Sequence, residues 1–410
     1  MTSARSLPSR ADHLPDVAYA ATLAGLDSMT PQRLQRLLRG RSAEEVFADL
    51  RSRRTRLVSR LMHGEQTPGR GNPRTAQVVD AWRRASIDID PALVWERLVA
   101  TKTAAYRRGS PGYPPRLVDD RAAPEVLFAR GSIAQLDGPC VALVGTRSAT
   151  HYGSSVAAEL GADLSGAGVV VVSGLAAGID AAAHQGALAP ERPAPPVAVV
   201  GGGVDVVYPA SSCRLWARVE VSGGILSEAA PGTAPEAWRF PLRNRLIAAL
   251  AHVVVVVESH KGGGALHTVT AADERGVTVL AVPGSVRSSA SEGTNSLIAD
   301  GCGVARDAHD VLAALELACA GGTPPLGQRV APFTHTAIAR DSPAGALAGL
   351  SPDEQSVLGA LEDVATAFEL VCTRSGLGLA TTAVTLEHLA TLGLAARSGS
   401  GWERSAARRR

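Results

Sequence analysis

The sequence predicts an α/β protein whose main domain is an extended Rossmann-like, doubly wound parallel sheet. Three apolar segments, at 141–144, 169–172 and 197–200, each lead into a glycine-bearing loop and then into a helical pattern. This repetition is typical of βα units in a parallel sheet. The segment 253–257 consists of five consecutive valines, which can all be buried only where helices cover both faces of a sheet. We therefore predict a central parallel strand there.

Residues 1–104 are predicted to form a small helical domain, similar in pattern to SAM or helix-hairpin-helix modules. Leu34, Leu37 and Leu38 recur at helical spacing and define an apolar face. Arginines flank this face at positions 33, 36, 39 and 41. They form either a solvated helix surface or a DNA contact, and the pattern favours the solvated surface.

The main domain is predicted to span residues 105–318. Its first part, at 106–131, is rich in proline. Because proline is excluded from the interior of a hydrogen-bonded ladder, we expect a connector that lays one short strand against the body. Further candidate strands follow near 225, at 277–281 and near 304, so the domain is longer than a minimal Rossmann unit.

The C-terminal part divides into a linker at 319–349 and a winged-helix-like domain at 350–404. The linker is rich in Gly, Pro and Thr and has no periodicity, which is typical of a flexible connection. Ser351-Pro352-Asp353-Glu354 then has the pattern of a capping box with proline at the first helical position. Two further helical patterns and a hairpin near Trp402 complete the predicted domain.

Charge and composition exclude several classes of protein. The 41 basic and 39 acidic residues give a formal net charge of +2, so any nucleic-acid binding must be local rather than driven by a global positive field. The five cysteines form no CxxC or Cys/His pattern, so neither a disulfide framework nor a metal site is expected. No signal peptide and no apolar run of about 20 residues is found. We expect a cytoplasmic protein that does not bind membranes.

The loops at the carboxyl ends of the predicted strands favour a phosphate-binding site. Free backbone N–H groups and helix N-termini attract anions, glycine allows close approach, and arginine adds a planar fork of donors. Neither a Walker A motif nor GxGxxG is present, which disfavours ATP hydrolysis and dinucleotide binding, so no cofactor is expected. The predicted phosphate-binding residues are Gly145, Thr146, Arg147, Ser173, Gly174, Gly178, Gly201, Gly202, Gly203, Arg243, Asn244 and Arg245.

Three ionisable side chains beside these loops are assigned supporting roles. Asp180 and His184 lie four residues apart on one predicted helix face and could form an acid–base pair. Because no nucleophile elbow accompanies them, we favour a pair that braces the preceding loop. Glu228 is expected to form a fixing salt bridge with Arg243 or Arg245. No residue is assigned a catalytic role.

Five segments of the chain occur together in an order typical of one protein family. They are Val141-Ala142-Leu143-Val144-Gly145-Thr146-Arg147, Ser173-Gly174-Leu175-Ala176-Ala177-Gly178-Ile179-Asp180 with His184, Phe240-Pro241 with Arg243-Asn244-Arg245, Val282-Pro283-Gly284, and Gly293-Thr294-Asn295. Together they resemble the DNA-processing protein A (DprA, or Smf) family over about residues 112–310. The helical start and the winged-helix-like end resemble the family's three-part layout.

The resemblance implies a DNA-binding protein without catalytic turnover. Members bind single-stranded DNA, form homodimers, protect incoming DNA and help load a RecA-type recombinase during natural transformation. The family's DNA contacts map onto Arg147, the Ser173-Gly174 loop, 201–203 and 243–245. This chain departs from the family at Gly262-Gly263-Gly264-Ala265-Leu266, where relatives often have Ser-Gly-Ser-Leu. It departs again at Ala210-Ser211-Ser212, where relatives commonly place a lysine and an asparagine, and this change removes a phosphate donor.

Two other classes of function remain open. One is an enzyme, because a distantly similar Rossmann group hydrolyses the glycosidic bond of nucleoside monophosphates. The segment 262–268 with Asp273-Glu274 loosely resembles its glycine-rich helix start, without the Pro-Gly-Gly opening. The other class is an interaction scaffold that works through its C-terminal domain. Aromatic residues make up 4% of the chain, which argues against an extended base-stacking platform, and Tyr208-Pro209 is expected to pack at the edge of its loop.

Overall fold

The N-terminal part of the protein is helical. The structure, a computed structural model, describes residues 14–52, 73–320, 350–361, 366–398 and 401–404. The described helices before the sheet are α1 (Asp16–Ala24), α2 (Pro31–Leu38), α3 (Ala43–Arg51), α4 (Pro73–Asp88) and α5 (Pro91–Ala100). The Thr30 hydroxyl caps α2 by accepting a hydrogen bond from the N–H of Arg33, a donor that a helix start leaves free. Leu34, Leu37 and Leu38 are buried, which confirms the predicted apolar face.

A nine-stranded sheet forms the body of the protein. Its strands are β1 (Ala104–Arg107), β2 (Val126–Gly131), β3 (Cys140–Val144), β4 (Val170–Ser173), β5 (Val197–Val199), β6 (Gly224–Ser227), β7 (Val253–Val256), β8 (Thr278–Ala281) and β9 (Gly303–Val304). They lie in the order β1-β2-β6-β5-β4-β3-β7-β8-β9. Strands β3 to β9 pair in parallel, which confirms a mostly parallel sheet.

The edge formed by β1 and β2 departs from the predicted parallel sheet. Strand β2 pairs antiparallel with both β1 and β6. Antiparallel neighbours can be joined without a crossover helix, so the proline-rich connector is enough to link β1 to β2. That connector contains one short helix, α6 (Pro115–Val118).

Helices cover both faces of the sheet. Those in the body are α7 (His151–Gly166), α8 (Ile179–Ala187), α9 (Cys213–Ser222), α10 (Arg239–Leu250), α11 (Leu266–Asp273), α12 (Glu292–Ala299) and α13 (Ala308–Cys319). In β7, Val254 and Val256 pack into an apolar cluster with α10 and α11, whereas Val253 and Val255 pack into another with α7, α8 and α13. Successive side chains of a strand point to opposite faces, so the central, doubly covered strand is confirmed.

The N-terminal helices share an apolar core with one half of the sheet. Leu23, Leu37 and Leu50 belong to the same buried cluster as Phe128 of β2 and Ile225 of β6. The helices therefore pack directly against the sheet. The boundary predicted between residues 104 and 105 stays a prediction, and the apolar contact runs across it.

The C-terminal residues form a separate core. Their elements are α14 (Pro352–Ala360), β10 (Thr366–Ala367), α15 (Phe368–Ser375), α16 (Leu379–Thr391), β11 (Ala395–Ser398) and β12 (Gly401–Arg404), and the strands pair in the order β10-β12-β11. The capping box is present, because Ser351 accepts from Glu354 N–H while the Glu354 carboxylate accepts from Ser351 N–H. Of the predicted linker, residues 321–349 lie outside the described part of the chain. No helix in the described ranges is long and apolar enough to cross a membrane.

Candidate functional site

A cavity opens where the loops after β4 and β5 meet the start of α10. Its volume is about 120 Å³, and it lies at the carboxyl ends of parallel strands, where α/β folds place their ligands. Of the predicted residues, those that line it are Arg147, Gly174, Gly201, Gly202 and Arg243. The other lining residues are Ala176, Ala177, Val200, Val206, Tyr208, Pro209, Trp216, Pro235 and Phe240. The predicted residues outside the lining are Gly145, Thr146, Ser173, Gly178, Gly203, Asn244 and Arg245.

Two glycines allow the loops to approach each other. Gly178 has a positive φ of 77°, and a Cβ there would collide with the backbone oxygen of Thr146. A Cβ on Gly174 would collide with the guanidinium of Arg243. Glycine is the residue that tolerates both a left-handed backbone and such close contact, so these positions fix the shape of the wall even where they do not line the cavity.

Arg147 lies exposed at the cavity, against an aromatic pair. Its guanidinium carbon is 4.7 Å from the ring centroid of Phe240, a cation–π distance. The Tyr208 ring is 5.5 Å from that of Phe240 and tilted by 34°, and Tyr208 is 44% exposed. The site therefore offers a positive charge and two aromatic rings side by side. The expectation that Tyr208 packs at a loop edge missed this arrangement.

Arg243 is buried and its side chain is engaged with the backbone. Only 5% of the residue is exposed. Its Nη1 donates to the carbonyl of Gly174 at 2.7 Å and to that of Val199, so it joins the end of β5 to the loop after β4. Burial lowers the pKa of this guanidinium, and the negative charge of Asp180 opposes the shift. The DNA-contacting role predicted for Arg243 stays a prediction, and its observed contacts hold the cavity wall.

Arg245 and Glu228 form the predicted fixing salt bridge. The two side chains are 13% and 11% exposed and are joined directly through Nη2 and Oε2, while Nη1 of Arg245 donates to the carbonyl of Ala122. Burial raises the pKa of Glu228, and the neighbouring Arg245 charge opposes that rise. Asn244 donates to the carbonyl of Gly264 at 3.3 Å. The Asn244 and Arg245 side chains thus connect α10 to other segments of the body.

Asp180 and His184 lie in the buried floor behind the β4 loop. Burial raises the pKa of Asp180, and the charge of Arg243 opposes it most strongly. His184 is fully buried, and burial lowers its pKa to about 4, so the imidazole is neutral near pH 7. Ser173 fixes the end of β4 by donating to the carbonyl of Leu143 at 2.6 Å. These residues lie beneath the loop that they were predicted to brace.

The buried His184 should make stability fall with acid. A histidine whose folded pKa is about 4 takes up its proton more readily in the unfolded chain, where the pKa is about 6.5. Its contribution to stability is complete above pH 6.5 and is lost as pH falls towards 4, by about 3 kcal/mol in all. We expect His184→Gln to flatten this part of the stability profile. Urea unfolding of the wild type and of His184→Gln from pH 7 to pH 4 measures the difference. If the free energy of unfolding fell equally in both proteins, the lowered pKa of His184 would be contradicted.

Glu258 is a site-supporting residue that sequence reasoning missed. It follows β7 and is 1% exposed. Its carboxylate accepts from the N–H of Thr150 at 2.9 Å and from the Thr150 hydroxyl, and its backbone carbonyl accepts from Thr146 N–H at 2.8 Å. It therefore fastens the Arg147 loop to the central strand. No local pattern marks this role, because the partners lie more than 100 residues apart along the chain.

No metal site accompanies the cavity in the part of the chain that the structure describes. Among those residues, no group of three or more His, Cys, Asp or Glu side chains is placed to hold an ion. The lining instead combines the exposed guanidinium of Arg147 and the buried one of Arg243 with three aromatic side chains and glycine backbone.

The match to a family model decides the relationship. The model for "DNA recombination-mediator protein A" matches residues 105–316, about half of the chain and the whole nine-stranded sheet except its first residue. The chain belongs to the DNA recombination-mediator protein A family. The matched residues include every loop that lines the cavity, so the site is built from the segment that defines the DprA family.

Named relatives agree with this membership. The putative DNA processing protein DprA of Mycobacterium tuberculosis is 45% identical over 193 residues, which cover 46% of this chain and 49% of that protein. DprA of Streptococcus pneumoniae is 39% identical over 204 residues, covering 50% of this chain and 71% of that one. The chain thus spans about half the length of its mycobacterial relative. The X-ray structure of the S. pneumoniae DprA superposes with a TM-score of 0.59 and 31% identity, covering 73% of this chain and 98% of that chain.

Proposed function

We propose that the chain binds single-stranded DNA at the cavity and acts as a recombination mediator without catalytic turnover. In this role it protects incoming DNA and helps load a RecA-type recombinase during natural transformation. Membership of the DprA family supports the proposal. The observation that carries it is the exposed Arg147 guanidinium 4.7 Å from the Phe240 ring at the cavity.

The proposal assigns different parts of a nucleotide to different parts of the site. Arg147 would fork onto a phosphate, as guanidinium groups do in charge-assisted bidentate contacts. A base would stack on the Phe240–Tyr208 pair, because every base has a π-face and stacking needs no particular sequence. The pair lines the cavity, so a base stacked on it would lie in the cavity. Only an unpaired strand can turn a base into it.

The remaining features of the proposal rest on the family resemblance. We propose a cytoplasmic protein that works as a homodimer, with an N-terminal SAM or helix-hairpin-helix-like domain and a C-terminal winged helix. The three described C-terminal helices and the antiparallel strand pairs support the winged-helix assignment. In this proposal Arg243 and Arg245 position the wall, while Arg147 and the loop backbone meet the DNA.

A salt titration tests the proposed function. We expect oligo-dT and mixed-sequence single strands to bind alike and duplex to bind more weakly. With about two to three phosphates neutralised, log affinity should fall with log salt at a slope of about −1.5 to −2. Fluorescence anisotropy of labelled oligonucleotides measures both quantities.

Two outcomes would overturn the proposal. A slope near zero with equal affinity for a free mononucleotide would favour the nucleoside-monophosphate hydrolase, which a parallel assay for base release detects. Absence of binding to any nucleic acid would favour the interaction scaffold.

A further inference from the structure

A second, shallow cleft of about 10 Å³ adjoins the cavity on the side of the N-terminal helices. It is lined by Pro31, Val200, Gly201, Glu228, Trp238, Arg239, Leu242 and Arg243. Three of these residues, Val200, Gly201 and Arg243, also line the main cavity, so the two depressions share a wall. Its lining includes Pro31, the first residue of α2. A chain that leaves the cavity over this cleft therefore passes the start of α2.

Trp238 and Arg239 in this cleft form a second arginine–aromatic pair, in which Arg239 is also joined to Glu236 at 3.4 Å. Trp238 is 44% exposed, and the Arg239 guanidinium carbon lies 4.3 Å from its ring centroid. The indole is held in place because Nε1 donates to the Glu236 carboxylate at 2.7 Å. The start of α10 thus presents two arginine–aromatic pairs, one formed by Arg239 with Trp238 and the other by Arg147 with Phe240.

Helix α2 continues this surface with positive charge. Gln35 donates to the carbonyl of Arg121 at 3.1 Å, which holds α2 against the body beyond Pro31. Residues three, four and seven apart lie on one side of a helix, so Gln32, Arg36 and Arg39 share a flank next to that contact. Gln32 and Arg39 are exposed. The flank therefore places the exposed Arg39 side chain beyond Pro31.

We propose that single-stranded DNA leaves the cavity over the Trp238–Arg239 cleft and runs onto α2, where Arg39 contacts its backbone. The inference rests on the proposed function and adds a path for the strand. The occupant is a continuous polynucleotide, because the cleft adjoins the cavity and because its aromatic and basic groups match the bases and phosphates of a flexible strand. It also assigns a role to Arg39, one of the arginines that the sequence alone left as a solvated surface.

Oligonucleotide length separates this path from the main cavity. A thymidine dinucleotide places one base in the cavity and extends little beyond it, whereas oligo-dT of about twenty nucleotides can reach α2. We expect Trp238→Ala and Arg39→Glu each to weaken binding of the long oligonucleotide by about three- to tenfold and to leave the short one unchanged. Arg39→Glu should also reduce the steepness of the salt dependence for the long strand by about 0.7, the value for one phosphate.

Arg192→Glu is the matched control. Arg192 is exposed in the loop that enters β5 at its amino end, opposite the cavity, so the same charge reversal there should not change either affinity. Thermal unfolding of each variant shows whether it is folded. Suppose that the wild type binds both lengths. If the Trp238 and Arg39 variants then behave like Arg192→Glu, or lose affinity equally for the two lengths, the path is wrong while the proposed function stands. If the wild type binds neither length, the proposed function itself fails.

Discussion

Arg147→Ala is expected to remove most single-strand binding and to leave the fold intact. The guanidinium is exposed at the cavity, so its loss creates no buried hole and the free energy of unfolding should change by no more than about 0.5 kcal/mol. A charge-assisted bidentate contact contributes about 1.5–3 kcal/mol, which corresponds to a loss of about ten- to a hundredfold in affinity for oligo-dT. Anisotropy titration and urea unfolding measure the two effects separately.

Two further variants sharpen the Arg147 experiment. Arg147→Lys keeps the charge but loses the planar fork and the favourable stacking on Phe240, so we expect intermediate affinity. Arg192→Ala, at the opposite end of the sheet, should bind like the wild type. Wild-type affinity in Arg147→Ala would remove this residue from the binding site.

Arg243→Ala should act on stability instead. The change leaves the carbonyls of Gly174 and Val199 without their donor and the buried Asp180 without its largest compensating charge. Removing one partner from a buried charged group costs about 3–5 kcal/mol, so the urea midpoint should fall steeply. Any loss of DNA binding by Arg243→Ala should result from displacement of the loop after β4, which Arg243 holds through the carbonyl of Gly174.

The comparison with Arg239→Ala tests this division of roles. Arg239 follows Trp238 at the start of α10 and is 20% exposed at its side chain, so its removal should cost much less stability than removal of Arg243. If Arg243→Ala were as stable as the wild type and had lost only DNA affinity, Arg243 would be a direct contact, as the motif suggested.

Much of the fold could be predicted because its signals are local. Residues 253–257 are apolar at every position, and only a strand covered on both faces buries them all. The capping box at Ser351 and Glu354 likewise depends on four consecutive residues. The antiparallel edge was not predicted, because the direction of β2 is decided by its pairing with β6, about 100 residues later.

The position of the candidate site could also be predicted, because its glycine loops are local signals. Glycine loops after parallel strands converge at one edge of any such sheet, so the cavity lies where the sequence placed it. The roles of individual side chains were less accessible. Phe240 and Tyr208 gave no periodic signal, and a low aromatic content over the whole chain does not prevent two rings from meeting at one point.

The sequence by itself determined the mostly parallel sheet, the loops at its carboxyl edge and the family. Only the tertiary structure decided which of three similar arginines faces solvent. Arg147 is exposed, Arg245 is paired with Glu228, and Arg243 reaches carbonyls that lie 69 and 44 residues away along the chain. A guanidinium is engaged or available according to which acceptors the packed strands bring within about 3 Å, and that proximity exists only after the strands between them have assembled.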